Sequence, residues 1–139
     1  MKQKQFRFSV STRGRGIYCI SHEVCDWVNR QDIQTGLVTL FIPHTSASLL
    51  IQENADPDVL EDLNQFFNRL VPDGDSLFKH QAEGPDDMPA HIRSALTQTQ
   101  LSIPVSDNKL ALGIWQGIYL FEHRTAPHKR MIILHLIGE

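Results

Sequence analysis

Three of the seven histidines in this 139-residue chain stand in unusually polar surroundings. His44 interrupts an apolar run, and His80 and His91 bracket a segment rich in Gly, Pro and Asp. Core strands avoid unpaired polar side chains, because each costs about 1–3 kcal/mol when buried. Imidazole suits zinc, and catalytic zinc sites use three protein ligands and an open position. We therefore predict that His44, His80 and His91 bind a divalent metal ion, with zinc preferred and magnesium as the alternative. Taken singly, each histidine also fits an ordinary surface or hydrogen-bonded position.

Several carboxylates accompany these histidines. Glu83, Asp86 and Asp87 could act as further ligands, as partners that orient the imidazoles, or as a general base. Asp86 and Asp87 are equally explained as caps of the helix that follows, where carboxylates favour the positive end of the dipole. Glu83 lies outside that cap and is therefore free for a functional role. Glu53 precedes an earlier helix that Asp56 is sufficient to cap, so Glu53 is free as well. We predict Glu83 and Glu53, together with His44, as the catalytic residues.

Other side chains are candidates for binding a substrate. Thr45 and Ser46 offer hydroxyl groups, and Gln116 offers both a donor and an acceptor. The basic run from His123 to Arg130 could hold an anion, because arginine grips phosphate through parallel hydrogen bonds, or it could be a solvated hairpin end. On these grounds we assign substrate binding to Thr45, Ser46, Asn54, Trp115, Gln116 and Arg124.

Composition limits the classes of protein to which the chain can belong. Thirteen basic and sixteen acidic residues give a net charge of −3, too weak a bias to suggest nucleic acid or a membrane surface as partner. No apolar window reaches ~18 residues. Cys19 and Cys25 form neither a metal motif nor a disulfide framework, so we expect buried free thiols in a reduced, cytoplasmic setting. Motifs of zinc proteases, serine hydrolases and nucleotide-binding loops are absent.

Hydrophobic periodicity predicts three helices and several strands. The helices begin at Ser21, at Asp56-Pro57 and at Pro89, and a long polar loop from Leu77 to Pro89 precedes the last. The predicted strands are Gln5–Ser11, Leu37–Ile42, Ala47–Ile51 as the returning partner of the second, Leu101–Val105, Leu110–Leu112, Ile118–Glu122 and Met131–Ile137. Strands at both ends with helices between them favour a single α+β domain over residues 1–139, built on a largely antiparallel or mixed sheet.

Three blocks of the sequence resemble one known family in order and separation. They read IPHTSASLLIQENADPDVLEDL, KHQAEGPDDMPAHIRSAL and LALGIWQGIYLFEHR, and they are similar to the YjbQ-like family of secondary thiamine-phosphate synthases. The resemblance covers nearly the whole chain. It implies an α+β fold with a large mixed, mainly antiparallel sheet and about three helices, a homotrimer, and a polar metal-binding pocket.

The resemblance also implies which residues form that pocket. They are His44, Thr45, Ser46, Glu53 and Asn54 from the first block, His80, Glu83 and His91 from the second, and Trp115, Gln116 and Glu122 from the third. Two positions depart from the family pattern. Ile114 stands where many relatives have Thr, which removes a hydroxyl. Ala126-Pro127-His128 stands where many have a Gly-Pro-Arg turn, which alters the anion site proposed for Arg124 and Arg130.

Residues and resemblance together lead to one functional prediction and two alternatives. We predict a cytoplasmic, trimeric, metal-binding enzyme that acts on a small phosphorylated or anionic molecule and has thiamine-phosphate synthase activity as a side activity. A three-histidine pocket suits zinc chemistry better than a magnesium-assisted diphosphate site. One alternative is a non-catalytic trimer that holds a metal or metabolite. The other is a metal-dependent hydrolase of an unidentified ester or amide.

Overall fold

The computed structural model describes residues 1–139 and contains three helices and eight strands. The helices are α1 (Ser21–Asn29), α2 (Pro57–Leu70) and α3 (Asp87–Leu96). The strands are β1 (Lys2–Ser11), β2 (Gly16–Cys19), β3 (Thr35–Phe41), β4 (Ala47–Glu53), β5 (Gln100–Ser106), β6 (Lys109–Leu110), β7 (Gln116–Glu122) and β8 (Lys129–Gly138). The α+β class and the three helices are confirmed. No helix is both long and apolar enough to cross a membrane.

The strands form two sheets in which every pair is antiparallel. The larger sheet has the order β1-β8-β3-β5-β6, and the smaller has the order β2-β7-β4. The prediction that β4 returns along β3 is wrong, because β4 pairs with β7 while β3 pairs with β5 and β8. An apolar run shows that a strand is buried but does not name its partner. Residues 42–46 therefore connect the two sheets instead of closing a hairpin.

The hydrophobic core joins both sheets to α1. Its seventeen buried residues include Val38 and Leu134 from the larger sheet, Leu49 and Leu120 from the smaller, and Val24 from α1. This core leaves α2 and α3 at the edge of the molecule, where α2 has no fully buried residue. The predicted buried thiols are not found, since Cys19 is exposed and Cys25 is half-buried.

Local sequence explains where α2 begins and how it is held. The side chain of Asp56 accepts a hydrogen bond from the Asp58 amide at 2.9 Å, and Pro57 opens the first turn, as the sequence predicts. The ring of Phe67 meets the ring of Phe121 edge to face, with centroids 5.3 Å apart. Helix α2 is thereby fixed to β7, close to the end of the smaller sheet that carries the chemistry described below.

A buried ion pair joins that end of β7 to β8. Glu122 is fully buried, and its carboxylate accepts hydrogen bonds from the guanidinium of Arg130, the hydroxyl of Thr12 and the amides of His123 and Arg124. Arg130 also donates to the carbonyl and hydroxyl oxygens of Ser46. The resemblance implies that Glu122 binds substrate in the pocket, and this prediction is wrong for the single chain, because its carboxylate is enclosed and fully paired.

Breaking this pair should strongly destabilise the chain. Replacing Arg130 with Met leaves a buried carboxylate without its cation, and we expect a loss of about 3–5 kcal/mol in the free energy of unfolding. The matched control is Arg30→Met, which breaks the exposed pair of Arg30 and Asp26 and should cost no more than about 0.5 kcal/mol. Urea unfolding followed by tryptophan fluorescence measures both. Equal, small losses in the two variants would contradict this role of Arg130.

Candidate functional site

Two histidines and one aspartate converge at the start of α3. Nε2 of His80 lies 2.5 Å from Oδ2 of Asp87, and Nε2 of His91 lies 3.2 Å from the same oxygen. Asp87 and His91 are four residues apart and so share one face of α3, whereas His80 reaches them from the preceding loop. Asp87 is only 2% exposed, but the side chains of His80 and His91 are 44% and 33% exposed. The His80–Asp87–His91 cluster therefore has a buried anion beneath two accessible imidazoles.

The surroundings of His91 determine which of its ring nitrogens carries a proton. Nδ1 lies 3.0 Å from the backbone carbonyl oxygen of Thr45, and a carbonyl can only accept, so Nδ1 carries the proton. In the neutral ring, Nε2 then presents a lone pair to the carboxylate of Asp87. Two lone pairs at this distance repel each other. The geometry is relieved either by a second proton on His91 or by a cation among the three side chains, as for histidine ligands held by a carbonyl in metal sites.

Arg124 holds the acidic part of the cluster in place. Its guanidinium donates to Oδ2 of Asp86 at 2.9 Å, to Oδ1 of Asp87 at 2.8 Å and to the backbone oxygen of Glu83 at 2.9 Å. These bonds engage all three nitrogens of the group. Arg124 was predicted to bind substrate, but in the single chain it is committed to the protein's own acceptors. Burial acts to lower the pKa of Arg124, but its acidic partners outweigh that effect and raise it.

Asp86 and Asp87 serve the cluster instead of capping α3. The side chain of Asp86 makes no capping hydrogen bond and instead accepts from the Thr125 amide at 2.9 Å. Burial acts to raise the pKa of Asp86, but the Thr125 amide and the Arg124 guanidinium outweigh it and lower the value to about 2. Burial likewise opposes ionisation of Asp87, whose pKa is nevertheless lowered by the His80 hydrogen bond and the Arg124 charge. Both carboxylates are ionised at neutral pH.

His44 does not join the cluster, so its assignment as a metal ligand is wrong within one chain. Its Nε2 accepts a hydrogen bond from the Met131 amide at 2.9 Å. Burial and the positive charge of Arg130 lower the pKa of His44, which keeps the ring neutral. His44 instead lines an open cleft of about 410 Å³ with Thr45, Ser46 and Arg130. Its predicted catalytic role is not supported by proximity to the His80–Asp87–His91 cluster.

The hydroxyl residues beside His44 contribute in different ways. Thr45 meets the cluster through its backbone oxygen, the acceptor for His91, and its side chain is exposed. Ser46 is buried, and its hydroxyl accepts from Arg130 at 2.9 Å. Thr45 is thus placed where a substrate could meet it. Ser46 also lines the open cleft, and its substrate-binding role stays a prediction.

Glu83 lies at the rim of the cluster. Its side chain is 65% exposed, and its carboxylate is 3.9 Å from the guanidinium of Arg124. The carboxylate is not among the mutually close ligand atoms, which belong to His80, Asp87 and His91. A catalytic role for Glu83 remains a prediction. An open cleft of about 360 Å³ adjoins His80 in the same loop region and gives a small molecule access to one imidazole.

The remaining predicted residues lie at the far end of the smaller sheet. The β4–β7 register pairs Ala47 with Glu122 at one end and Glu53 with Gln116 at the other. Six residues at about 3.3 Å each separate these ends by roughly 20 Å. Within one chain, the prediction that Glu53, Asn54, Trp115 and Gln116 share a pocket with the histidines is therefore wrong.

Most of these residues at the far end of the sheet form hydrogen bonds that stabilise the loops in which they lie. The Asn54 amide donates to the carbonyls of Ile114 and Gln116, and the Gln116 side chain accepts from the Gly113 amide at 2.7 Å. The carboxylate of Glu53 accepts from the Asp56 amide at 3.3 Å. Trp115 is 62% exposed. The polar residues that looked available in the sequence are satisfied by nearby backbone groups, which is a common use of Asn, Gln and Glu in turns.

Asp87 is the principal site residue that the sequence left undecided. It was weighed between a ligand and a helix cap, and the structure places it at the centre of the cluster. The spacing Asp87-x-x-x-His91 contained the signal, because residues four apart share a helix face. Arg93 is a second omission, since nothing in its sequence surroundings marks it as buried and charged.

Fold and site together define a small α+β protein with a His–Asp–His cluster between a loop and a helix. The sequence model of the family described as "UPF0047 protein YjbQ-like" matches residues 5–139. The chain therefore belongs to the YjbQ-like UPF0047 family, which confirms the resemblance drawn from the three sequence blocks.

Individual relatives agree over nearly their full length. The chain is 49% identical over 138 residues to UPF0047 protein sll1880 of Synechocystis, covering 99% of this chain and 94% of that protein. It is 40% identical over 136 residues to UPF0047 protein YjbQ of Escherichia coli O157:H7, covering 97% and 98%. The conserved hypothetical protein TT1486 of Thermus thermophilus has the same fold, with a TM-score of 0.84 at 34% identity, covering 95% and 99%.

The low pKa of Asp86 predicts a specific pH dependence of stability. Its folded pKa of about 2 lies below the value of about 3.9 in an unfolded chain. Its ionisation therefore stabilises the fold fully above about pH 4, and the contribution fades as pH falls towards 2. We expect Asp86→Asn to be clearly less stable than wild type near pH 6, to keep about half of that deficit near pH 3, and to approach wild type only near pH 2, as measured by urea unfolding.

The matched control for this experiment is Asp26→Asn. Asp26 pairs with Arg30 on the surface of α1, and exposed pairs of this kind contribute little. This variant should follow the wild-type curve at each pH. A deficit for Asp86→Asn that stays constant across the acidic range would show that its carboxylate does not carry the charge-dependent stabilisation.

Proposed function

We propose that the chain is a metal-dependent enzyme that acts on a small phosphorylated or anionic molecule. The observation that carries this proposal is the proton arrangement at His91. Its Nδ1 donates to a carbonyl, so its Nε2 faces the Asp87 carboxylate in an arrangement that a cation bound between them would stabilise. Two imidazoles and one carboxylate are a donor set that suits zinc. His80, Asp87 and His91 would hold the ion, with zinc preferred and magnesium less suited to imidazole ligands.

The exposure of the cluster favours catalysis over storage. The cluster supplies three protein ligands, and its two imidazoles remain partly open to solvent beside the cleft at His80. Structural zinc sites are closed by four protein ligands, whereas catalytic sites keep one position open. A purely metal-holding protein would be expected to close that position with a fourth side chain.

The residues around the proposed metal ligands have separate roles. Bound zinc would supply Lewis-acid activation of a substrate oxygen or of water. Arg124 keeps Asp87 ionised and fixed, the carbonyl of Thr45 orients His91, and Asp86 anchors the loop after β7 through the Thr125 amide. The exposed Glu83 carboxylate at the rim is the nearest candidate for accepting a proton.

Family resemblance narrows the reaction within this proposal. We propose that the chain can join a hydroxymethylpyrimidine diphosphate to a thiazole phosphate, releasing pyrophosphate, as a side activity. Both substrates are small and phosphorylated, which matches the proposed class. The main substrate belongs to the same chemical class and differs from this pair, because two imidazoles and a carboxylate suit zinc better than the magnesium that usually assists diphosphate chemistry.

We also propose that the chain works as a homotrimer in the cytoplasm. The outer face of the larger sheet supports association, because it presents the apolar side chains of Leu37, Phe41 and Ile137, each more than a third exposed. Leu37 and Ile137 lie opposite each other on adjacent strands. An exposed apolar sheet face of this kind is typical of a protein interface.

Metal content measured by plasma emission spectroscopy tests the ligand set. We expect wild-type protein to retain close to one zinc per chain after reloading and dialysis. Asp87→Asn, His80→Ala and His91→Ala should each lose most of it, because each removes one of three ligands. His44→Ala is the matched control and should keep its zinc, since His44 lies outside the cluster. Zinc that is lost in His44→Ala and kept in Asp87→Asn would overturn this ligand set.

Turnover tests the enzymatic part of the proposal. Zinc-loaded protein should form thiamine phosphate slowly from the two phosphorylated precursors. Asp87→Asn should lower the rate by about 100-fold or more, because removing a metal ligand disrupts both binding and chemistry. Product is measured by chromatography, with Asp26→Asn as the control. Stoichiometric metal binding without turnover of this pair or of other phosphorylated substrates would favour the non-catalytic alternative.

A further inference from the structure

A second polar cleft lies on the other side of α3. It has a volume of about 470 Å³ and opens between the β1–β2 turn, α2, α3 and the loop after β7. None of its lining residues is a large apolar side chain; the polar ones are Arg15, Asn64, Asn68, Asp73, Arg93 and Thr125. Clefts that bind drug-sized ligands usually place a few polar groups among apolar walls. This cleft has no apolar walls, so its lining suits a charged group that makes many hydrogen bonds.

Arg93 is the unusual member of this lining. It is 1% exposed, yet no carboxylate lies within ion-pair distance of its guanidinium. Its hydrogen bonds go to the Val71 carbonyl at 2.9 Å and to the Asn68 side chain at 3.4 Å. Its Nε is one of only three buried side-chain nitrogen or oxygen atoms in the chain without a hydrogen-bond partner. A buried cation is costly unless an anion pairs with it.

The neighbouring charges leave the cleft positive. Asp73 is the one carboxylate in the lining, and it is held by Arg15 through two bonds of 2.9 and 3.0 Å. Arg93 therefore has no anion of its own. Burial and the charge of Arg15 lower its pKa to about 10, so it stays charged at neutral pH. Nearby His123 adds no charge, because burial and these arginines lower its pKa to about 3.

Helix geometry separates this cleft from the His80–Asp87–His91 cluster. Arg93 follows His91 by two residues, which is a rotation of about 200° around α3. The two side chains therefore leave the helix on nearly opposite sides. The cleft and the cluster are neighbours through the loop after β7, where Arg124 serves the cluster and Thr125 lines the cleft.

We propose that this cleft is a binding site for a phosphate-type oxyanion, such as the phosphate group of a small metabolite. Beside the free Arg93 Nε, the side-chain amides of Asn64 and Asn68 and the hydroxyl of Thr125 can donate, while Arg15, whose nitrogens are engaged by Asp73 and the His123 carbonyl, contributes charge. This is more donors than a carboxylate would use, and phosphate offers the larger number of acceptor oxygens. The free N–H of Arg93 supplies the buried anchor. The site does not require a metal and is separate from the function proposed above.

Isothermal titration calorimetry of the full chain with inorganic phosphate tests this site. We expect saturable binding to wild type that weakens about tenfold or more in Arg93→Lys, because lysine keeps the charge but loses the planar fork. Arg15→Gln releases Asp73 into the cleft and should weaken binding as well, which provides a second variant if Arg93→Lys does not fold. Arg69→Lys changes an exposed arginine of α2 and should bind phosphate like wild type.

Two further titrations identify where the anion binds and whether the site prefers phosphate. His80→Ala should retain phosphate binding, which would distinguish this cleft from the metal cluster. Acetate should bind clearly more weakly than phosphate, as expected for a site with many donors. The proposal is overturned if wild type shows no saturable binding, which would mean that water alone satisfies Arg93. It is also overturned if Arg93→Lys binds as wild type, if acetate binds equally, or if His80→Ala abolishes binding.

Discussion

The buried pair of Glu122 and Arg130 is the constraint on which the site depends. Glu122 ends β7 at the point where the chain leaves the smaller sheet, and its carboxylate accepts from the amides of His123 and Arg124. This fixes the backbone from which the Arg124 side chain starts. Arg130 reaches from β8 to Ser46, which fixes the connection that presents the Thr45 carbonyl to His91. One ion pair thus positions both the guanidinium and the carbonyl that orient the cluster.

The charges around the cluster explain why it attracts a cation. One guanidinium, that of Arg124, faces the two ionised carboxylates of Asp86 and Asp87, so one negative charge remains under the two imidazoles. Full neutralisation by a second arginine would make His80 and His91 ordinary surface residues. The uneven balance instead favours a bound cation beside Asp87, while the Arg124 guanidinium helps to keep both carboxylates ionised despite burial.

Sequence reasoning succeeded where a local pattern determines the structure. The strands predicted at Leu101–Val105 and Leu110–Leu112 leave a turn at Asp107 and Asn108, and both residues adopt positive φ there, at 51° and 61°. The start of α2 at Asp56-Pro57 followed from capping chemistry in the same way. His80 and His91 were correctly grouped because one loop leads from the first directly into the helix that carries the second.

The errors arose where long-range pairing decides the outcome. Glu53 carries the same carboxylate as Asp87, and only the β4–β7 register shows that Glu53 and Gln116 lie at the far end of the sheet. His44 lies at the near end, but its Nε2 is taken by the amide of Met131 on another strand. A polar residue beside a glycine or within a strand looks equally available whether it meets a ligand or a backbone amide. Glu122 illustrates this, since its five hydrogen-bond donors come from four residues spread between positions 12 and 130.

Helix α3 explains why two sites of opposite charge can lie so close together. Its period of about 3.6 residues places Asp87 and His91 on one face and Arg93 on another, with the helix backbone between them. The anionic cluster and the cationic cleft would neutralise each other if they shared a face, as Arg15 and Asp73 do. Separation by the helix preserves both charges, and the loop at Arg124 and Thr125 bridges the two sides.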